Sequence, residues 1–186
     1  MTKDCIKRNY KIAKDWKRIE YYKERIRILK EFINGKPSID LGGGGFIPKV
    51  LNVTHACDNN KEAGKLLKES GFKGKFKVVD IQKRLPYTNK QFKYAVCSEV
   101  IEHFRREEYI TQFFSELNRI SEKWLVTTPS KIFLDKDHYF FFFPNDLFRL
   151  IQLDKSQFII YRKHPYYYIT NDFERVKHII DNPKSL

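Results

Sequence analysis

Ser38-Ile39-Asp40-Leu41-Gly42-Gly43-Gly44-Gly45 is the stretch on which the fold turns. Ser38–Leu41 suits a short strand, and four glycines follow it. A helix is expected over about 46–52, with Pro48 tolerated in its first turn. This is a strand–turn–helix junction, in which glycine allows unusual backbone angles and lets the chain approach a ligand with no Cβ in the way. In open α/β sheets, ligands sit beyond the carboxyl ends of the strands.

Downstream, the pattern repeats. Strands are expected at Thr54–Asp58, Phe76–Ile81, Phe92–Ser98 and Trp124–Thr128, with helices at about 60–70 and 99–120. A helix over 144–152, strands at Gln157–Tyr161 and Tyr166–Thr170, and a helix over 172–180 complete the series. Strands alternating with helices predict an α/β domain around a mostly parallel sheet. Upstream, Tyr22, Ile26, Leu29, Phe32 and Ile33 belong to an apolar series at helical spacing over 5–34, ended by Gly35 and Pro37. The division expected is a basic helical arm at 1–36 and one domain at 37–186.

The acids that follow the glycines give the turn a chemical reading. Asp58 ends the second strand, 18 residues after Asp40. A carboxylate there can accept hydrogen bonds from both hydroxyls of a ribose. Asp80 ends the expected third strand, placed to meet an adenine amine. A dinucleotide fingerprint wants a third glycine where Ile47 stands, so a nicotinamide or flavin reading loses support. No Gly-Lys-Ser/Thr follows, which excludes a P-loop. Taken alone, these residues fit a glycine-rich turn with two solvated acids about as well.

Composition bounds the rest. The chain has 186 residues, 36 Lys and Arg against 23 Asp and Glu, and a net charge of +13. Residues 1–36 carry twelve basic and five acidic groups, so they supply +7, while 97–129 carry four and six, or −2. A basic arm attracts phosphate or an anionic surface, so RNA is an expected partner beside a small-molecule acceptor. No apolar run approaches the roughly 20 residues of a membrane span. The charged N-terminus reads against a secretory signal. Cys5, Cys57 and Cys97 are odd in number with no close pair, which fits a reducing, cytoplasmic setting.

Several blocks in order resemble class I S-adenosylmethionine-dependent methyltransferases. They are Asp40-Leu41-Gly42-Gly43-Gly44, Asp58, Asp80 with Leu85-Pro86-Tyr87 and Phe92, then Cys97-Ser98-Glu99-Val100-Ile101-Glu102-His103, and Leu125-Val126-Thr127-Thr128-Pro129. The resemblance covers about residues 37–150. It implies a single Rossmann-like domain with a seven-stranded sheet of order 3-2-1-4-5-7-6, the last strand antiparallel. It also implies an S-adenosylmethionine site yielding S-adenosylhomocysteine. Asp40 and the Gly42, Gly43 and Gly44 backbone would face the methionine part. Asp58 and Asn59 would hold the ribose, Asp80 and the Ile81 backbone the adenine. Cys97 and Ser98 would lie beneath the sulfonium. The N-terminal helix would be a lid. Phe46 stands where the family usually has a further glycine, and Lys93 where it usually has Asp.

Glu99, Glu102 and His103 have spacings i, i+3 and i+4, which share one face if a helix starts there. His138 follows in Asp135-Lys136-Asp137-His138, after the fifth strand. Two carboxylates and two imidazoles can hold a divalent cation. With Asp137-His138 and the aromatic run, this block resembles the small-RNA 3′-terminal 2′-O-methyltransferases, which use such a site with magnesium or manganese. It also resembles ubiquinone-pathway O-methyltransferases. Without metal, His103 or His138 serves as general base; capping or pairing with Arg105 and Arg106 is the plain structural alternative. Tyr139-Phe140-Phe141-Phe142-Phe143 reads as an acceptor pocket or stacking platform, with at least three of its rings expected in the core. The leading reading is methyl transfer to a small-molecule oxygen or nitrogen. The alternatives are a metal-assisted RNA methyltransferase and a non-catalytic binding module that keeps the fold.

Overall fold

The structure, a computed structural model, describes residues 20–44, 46–130, 139–154 and 157–183. Its elements are α1 (Glu20–Phe32), β1 (Ser38–Leu41), α2 (Ile47–Leu51), β2 (His55–Asp58), α3 (Lys61–Glu69), β3 (Lys75–Val78) and β4 (Phe92–Ser98). A 3-10 turn (Ile101–His103), α4 (Glu107–Ile120), β5 (Ser121–Pro129), α5 (Pro144–Leu150), β6 (Ile159–Lys163), β7 (Tyr166–Thr170) and α6 (Phe173–Asp181) follow. The seven strands lie in the order β3-β2-β1-β4-β5-β7-β6. Pairing is parallel from β3 to β5, and β7 runs antiparallel to both β5 and β6. This is the expected Rossmann-like α/β fold.

Alternation along the central strands feeds two cores, one on each face. Ala95 and Cys97 of β4 with Trp124 and Val126 of β5 face α4 and α5, whose Phe113, Phe114, Leu117 and Leu147 close over them. Tyr94 and Val96 with Leu125 face the other way, toward α1, α2 and α6. Ile26, Ile28, Leu29 and Phe32 of α1 are fully buried there. Polar ties hold α1 in place. Arg27 donates to the Ile179 carbonyl of α6 at 3.1 and 3.2 Å. Arg175 donates to the Glu31 and Phe32 carbonyls at 2.6 and 3.0 Å. Residues 20–32 are thus part of a core; residues 1–19 lie outside the described residues. No described helix is long and apolar enough to cross a membrane.

Three expectations need correction. The third strand ends at Val78 rather than Ile81, so Asp80 and Ile81 lie just beyond it. It is an edge strand with Val78 54% exposed, which leaves its end without a second neighbour to extend the ladder. The helix expected over 99–120 is broken. Glu99 takes a left-handed φ of 57°, a 3-10 turn follows, and α4 begins only at Glu107. The reason lies in a captured carbonyl. The Glu102 C=O, which a continuing helix would give to residue 106, accepts from the Tyr139 and Phe140 amides at 2.8 and 3.1 Å. Finally, the aromatic run alternates instead of burying three rings. Phe142 is buried and stacks on half-buried Phe140 at 5.7 Å, while Tyr139, Phe141 and Phe143 are exposed. An extended backbone points successive side chains to opposite sides.

Candidate active site

The glycine turn is built around Asp40. This residue is 0% exposed at the end of β1, and neither carboxylate oxygen has a hydrogen-bond partner. Its side chain lies directly under the loop: a Cβ added at Gly43 would collide with Asp40 Oδ2 and with Pro48. Burial, reinforced by the nearby charge of Asp58, pushes its carboxyl up to about 8. Gly42 has φ 82° and lies against Val100. Phe46 packs with the α1-side core.

Asp58 ends β2 and is 7% exposed. Its carboxylate accepts from the Asn60 amide at 2.8 Å. Burial raises its pKa, and the Asn60 and Gly44 amides pull against the rise. Asp80 accepts from the Gln82 amide at 3.1 Å and stands 3.5 Å from Lys83 Nζ. Gly42, Asp58, Asn59, Asp80 and Ile81 share the wall of one cavity of about 540 Å³. Val100, His103, Phe104 and Tyr109 from the segment after β4, with Tyr139 from beyond β5, also line it. Of the glycine loop only Gly42 lines this cavity; Asp40, Gly43 and Gly44 do not. Gly45 lies outside the described residues.

The acids after β4 are arranged differently from the expected shared helix face. Glu102 is 1% exposed and turned inward. Its Oε2 accepts from Thr128 Oγ1 at 3.1 Å, while Oε1 has no partner. Burial, then repulsion by Glu99, pushes its carboxyl well above the usual range. Glu99 is half-buried, receives a long contact of 3.4 Å from Thr127 Oγ1, and stands 3.2 Å from Arg25 Nη1. Burial raises its carboxyl to about 7 against the pull of Arg25. Of Glu99, Glu102 and His103, His103 lines the cavity. His138 lies outside the described residues. Ser98 shares a hydrogen bond with Thr127 at 3.0 Å, whereas Cys97 is fully buried in the core rather than facing a ligand.

Arg25 was not singled out by the sequence, and Thr127 and Thr128 entered only within the block 125–129, with no site role. For Arg25 a signal exists: it lies three residues from Tyr22 and four from Leu29, on the face that α1 buries. Tyr139 and Tyr109 reach the cavity through tertiary contacts that spacing does not reveal.

The comparisons bear on the family and the fold. A family model for a methyltransferase domain matches residues 39–123. No curated protein matches the sequence. Among solved structures, a protein from Pyrococcus horikoshii is 20% identical with a TM-score of 0.60, over 80% of this chain and 89% of that one. A SAM-dependent methyltransferase from Aquifex aeolicus is 15% identical with a TM-score of 0.55, over 77% and 86%. The [4+2]-cyclase SpnF is 16% identical with a TM-score of 0.54, over 75% and 58%.

Proposed function

We propose that this chain acts as a class I S-adenosylmethionine-dependent methyltransferase and binds that cofactor across the ends of β1, β2 and β3. In this reading it methylates a small-molecule oxygen or nitrogen beside the ends of β4 and β5. The observation that carries the reading is Asp40. A buried carboxylate with both oxygens unpartnered is costly. It sits under a glycine loop whose Gly42 borders the cavity that Asp58 and Asp80 line. The α-ammonium of the methionine part is the partner that such a carboxylate lacks. Asp58 would take the ribose hydroxyls, with Asn59 beside it, and Asp80 and the Ile81 backbone would take the adenine. Gly42 and Gly43 keep the loop free of Cβ atoms that would meet Val100 and Asp40.

When bound, the cofactor would supply an electrophilic methyl on positively charged sulfur, and an acceptor that took it would have a proton to lose. The protein's part is to orient the acceptor, exclude water and take that proton. Glu99, with a carboxyl near 7, and His103 on the cavity wall are the groups suited to the proton. The test is thermal stability and calorimetry with S-adenosylhomocysteine. A ligand at ~100 times its dissociation constant adds about 2.7 kcal/mol. Saturable binding that Asp58→Ala weakens at least ~10-fold is expected. Binding of NAD with no response to S-adenosylhomocysteine refutes the reading.

One observation favours a second reading. The charge of +13 suits an RNA acceptor, for which binding falls steeply with salt. A small acceptor lacks that dependence. The likeness to a [4+2]-cyclase keeps a third reading alive, a protein that uses this fold without methyl transfer. Turnover of any acceptor ends it.

A further inference from the structure

Two acids stand after β4, and the charge that balances them comes from the chain itself. Glu99 holds a left-handed backbone at φ 57°, a conformation that persists in a non-glycine residue only where its surroundings fix it. Glu102 is buried with Oε1 unpartnered. Facing them is Arg25, 3% exposed, with Nη1 3.2 Å from Glu99 Oε2. Its guanidinium lies between the rings of Tyr22 and Tyr166, at 4.5 and 4.7 Å from their centroids. Nε and Nη1 form no hydrogen bond, so the contact with Glu99 is charge against charge rather than an aligned fork. The helix that carries Arg25 is pinned. Ile26 and Leu29 are fully buried beside it, and Arg27 is tied to α6.

We propose that Arg25 is the resident cation of this acid site and takes the place of a divalent metal at Glu99. The fit can be judged from the donors. A metal held by Glu99, Glu102, His103 and His138 needs their oxygens and nitrogens to converge at about 2.0–2.2 Å from one point. With Arg25 drawing Glu99 aside, no group of three His, Cys, Asp or Glu among the described residues does so. An ion at Glu99 would also face a guanidinium that does not deprotonate, in a setting with little water to screen the two positive charges. The metal therefore does not fit. Arg25 supplies instead what an ion would, a fixed positive charge that favours ionised Glu99. It is a positioning residue that acts through Glu99, and α1 is accordingly part of the acceptor end. That last step rests on the methyltransferase reading; the metal exclusion does not.

The experiment is a Mn²⁺ titration of the full chain followed by electron paramagnetic resonance. Wild type, Arg25→Met, Arg25→Lys and Glu99→Gln are compared, with S-adenosylhomocysteine binding measured on the same samples. Wild type is expected to show no saturable one-to-one site below millimolar. Arg25→Met, which keeps chain length and loses the charge, is expected to gain a site at least ~10-fold tighter, and adding Glu99→Gln removes it. A wild-type site that Glu99→Gln abolishes overturns the proposal, and so does a folded Arg25→Met protein that stays blind to Mn²⁺. Should Arg25→Met not fold, Arg25→Lys decides: a folded protein as blind as wild type supports the proposal, and one that binds Mn²⁺ overturns it. Loss of S-adenosylhomocysteine binding in wild type counts against the cofactor reading alone.

Discussion

Gly42 and Val100 touch across the junction of β1 and the segment after β4: a Cβ on residue 42 would stand 2.7 Å from Val100 Cγ2. The backbone at Gly42 is also left-handed, with φ 82°. Gly42→Ala therefore meets a steric and a conformational penalty together. We expect a loss of about 1–3 kcal/mol in stability and of most cofactor affinity. Adding Val100→Ala should recover the steric share only. Denaturant unfolding of both variants separates the two.

Asp40 gives the protein a pH dependence of a definite sign. Its carboxyl lies at about 8 when folded and near 3.8 when unfolded. The folded state thus holds the extra proton between those values, and stability falls as pH rises through them. Glu99 and Glu102 are raised too and act in the same direction. Glu24 is lowered to about 2, so its contribution is complete by about pH 5 and does not oppose this trend. The ligand-free protein should be more stable at pH 6 than at pH 8.5. Asp40→Asn should flatten part of that slope. Cofactor affinity should rise over the same interval in wild type, because an ammonium is held best by the ionised acid, and Asp40→Asn should lose this rise.

Phe32 tests whether α1 belongs to the domain. It is fully buried and meets Tyr94 edge-on at 5.6 Å. Phe32→Ala is expected to cost about 3–5 kcal/mol. At roughly 2–4 °C per kcal/mol for a chain of this size, the fall in Tm is about 10 °C. A helix that merely rests on the domain would give almost no change.

Cys57 and Cys97 are fully buried, and burial is the first cause raising both thiols. Since the thiolate is the reactive form, neither should react with a disulfide reagent at pH 8 in the folded protein. Both should react at once in denaturant. The assay is cleanest in a Cys5→Ser background.

Much of the fold was written locally. Asp40 to Gly44 marks a buried strand opening into a turn, and β4 reads as an apolar run because both its faces are covered. The same local logic placed Asp58 and Asp80 within reach of one cavity. What failed was decided by distant backbone. No pattern in 99–120 shows that the Glu102 carbonyl is claimed by residues 139 and 140, so a continuous helix was the natural expectation. That same capture removed the premise that Glu99, Glu102 and His103 share a face. Arg25 was passed over because a charged residue in a lysine-rich helix reads as solvated, and only packing against Tyr22 and Tyr166 reveals otherwise.

The captured Glu102 carbonyl also makes a natural reporter. The amides of Tyr139 and Phe140 rest on an oxygen that belongs to the acid turn. Their hydrogen–deuterium exchange is therefore governed by opening at that joint, since a fluctuation that parts the two segments releases both protons together. A ligand that settles the acid turn should slow exchange at 139 and 140 even without touching them. Two main-chain protons would then record events at Glu102 without any label or substitution.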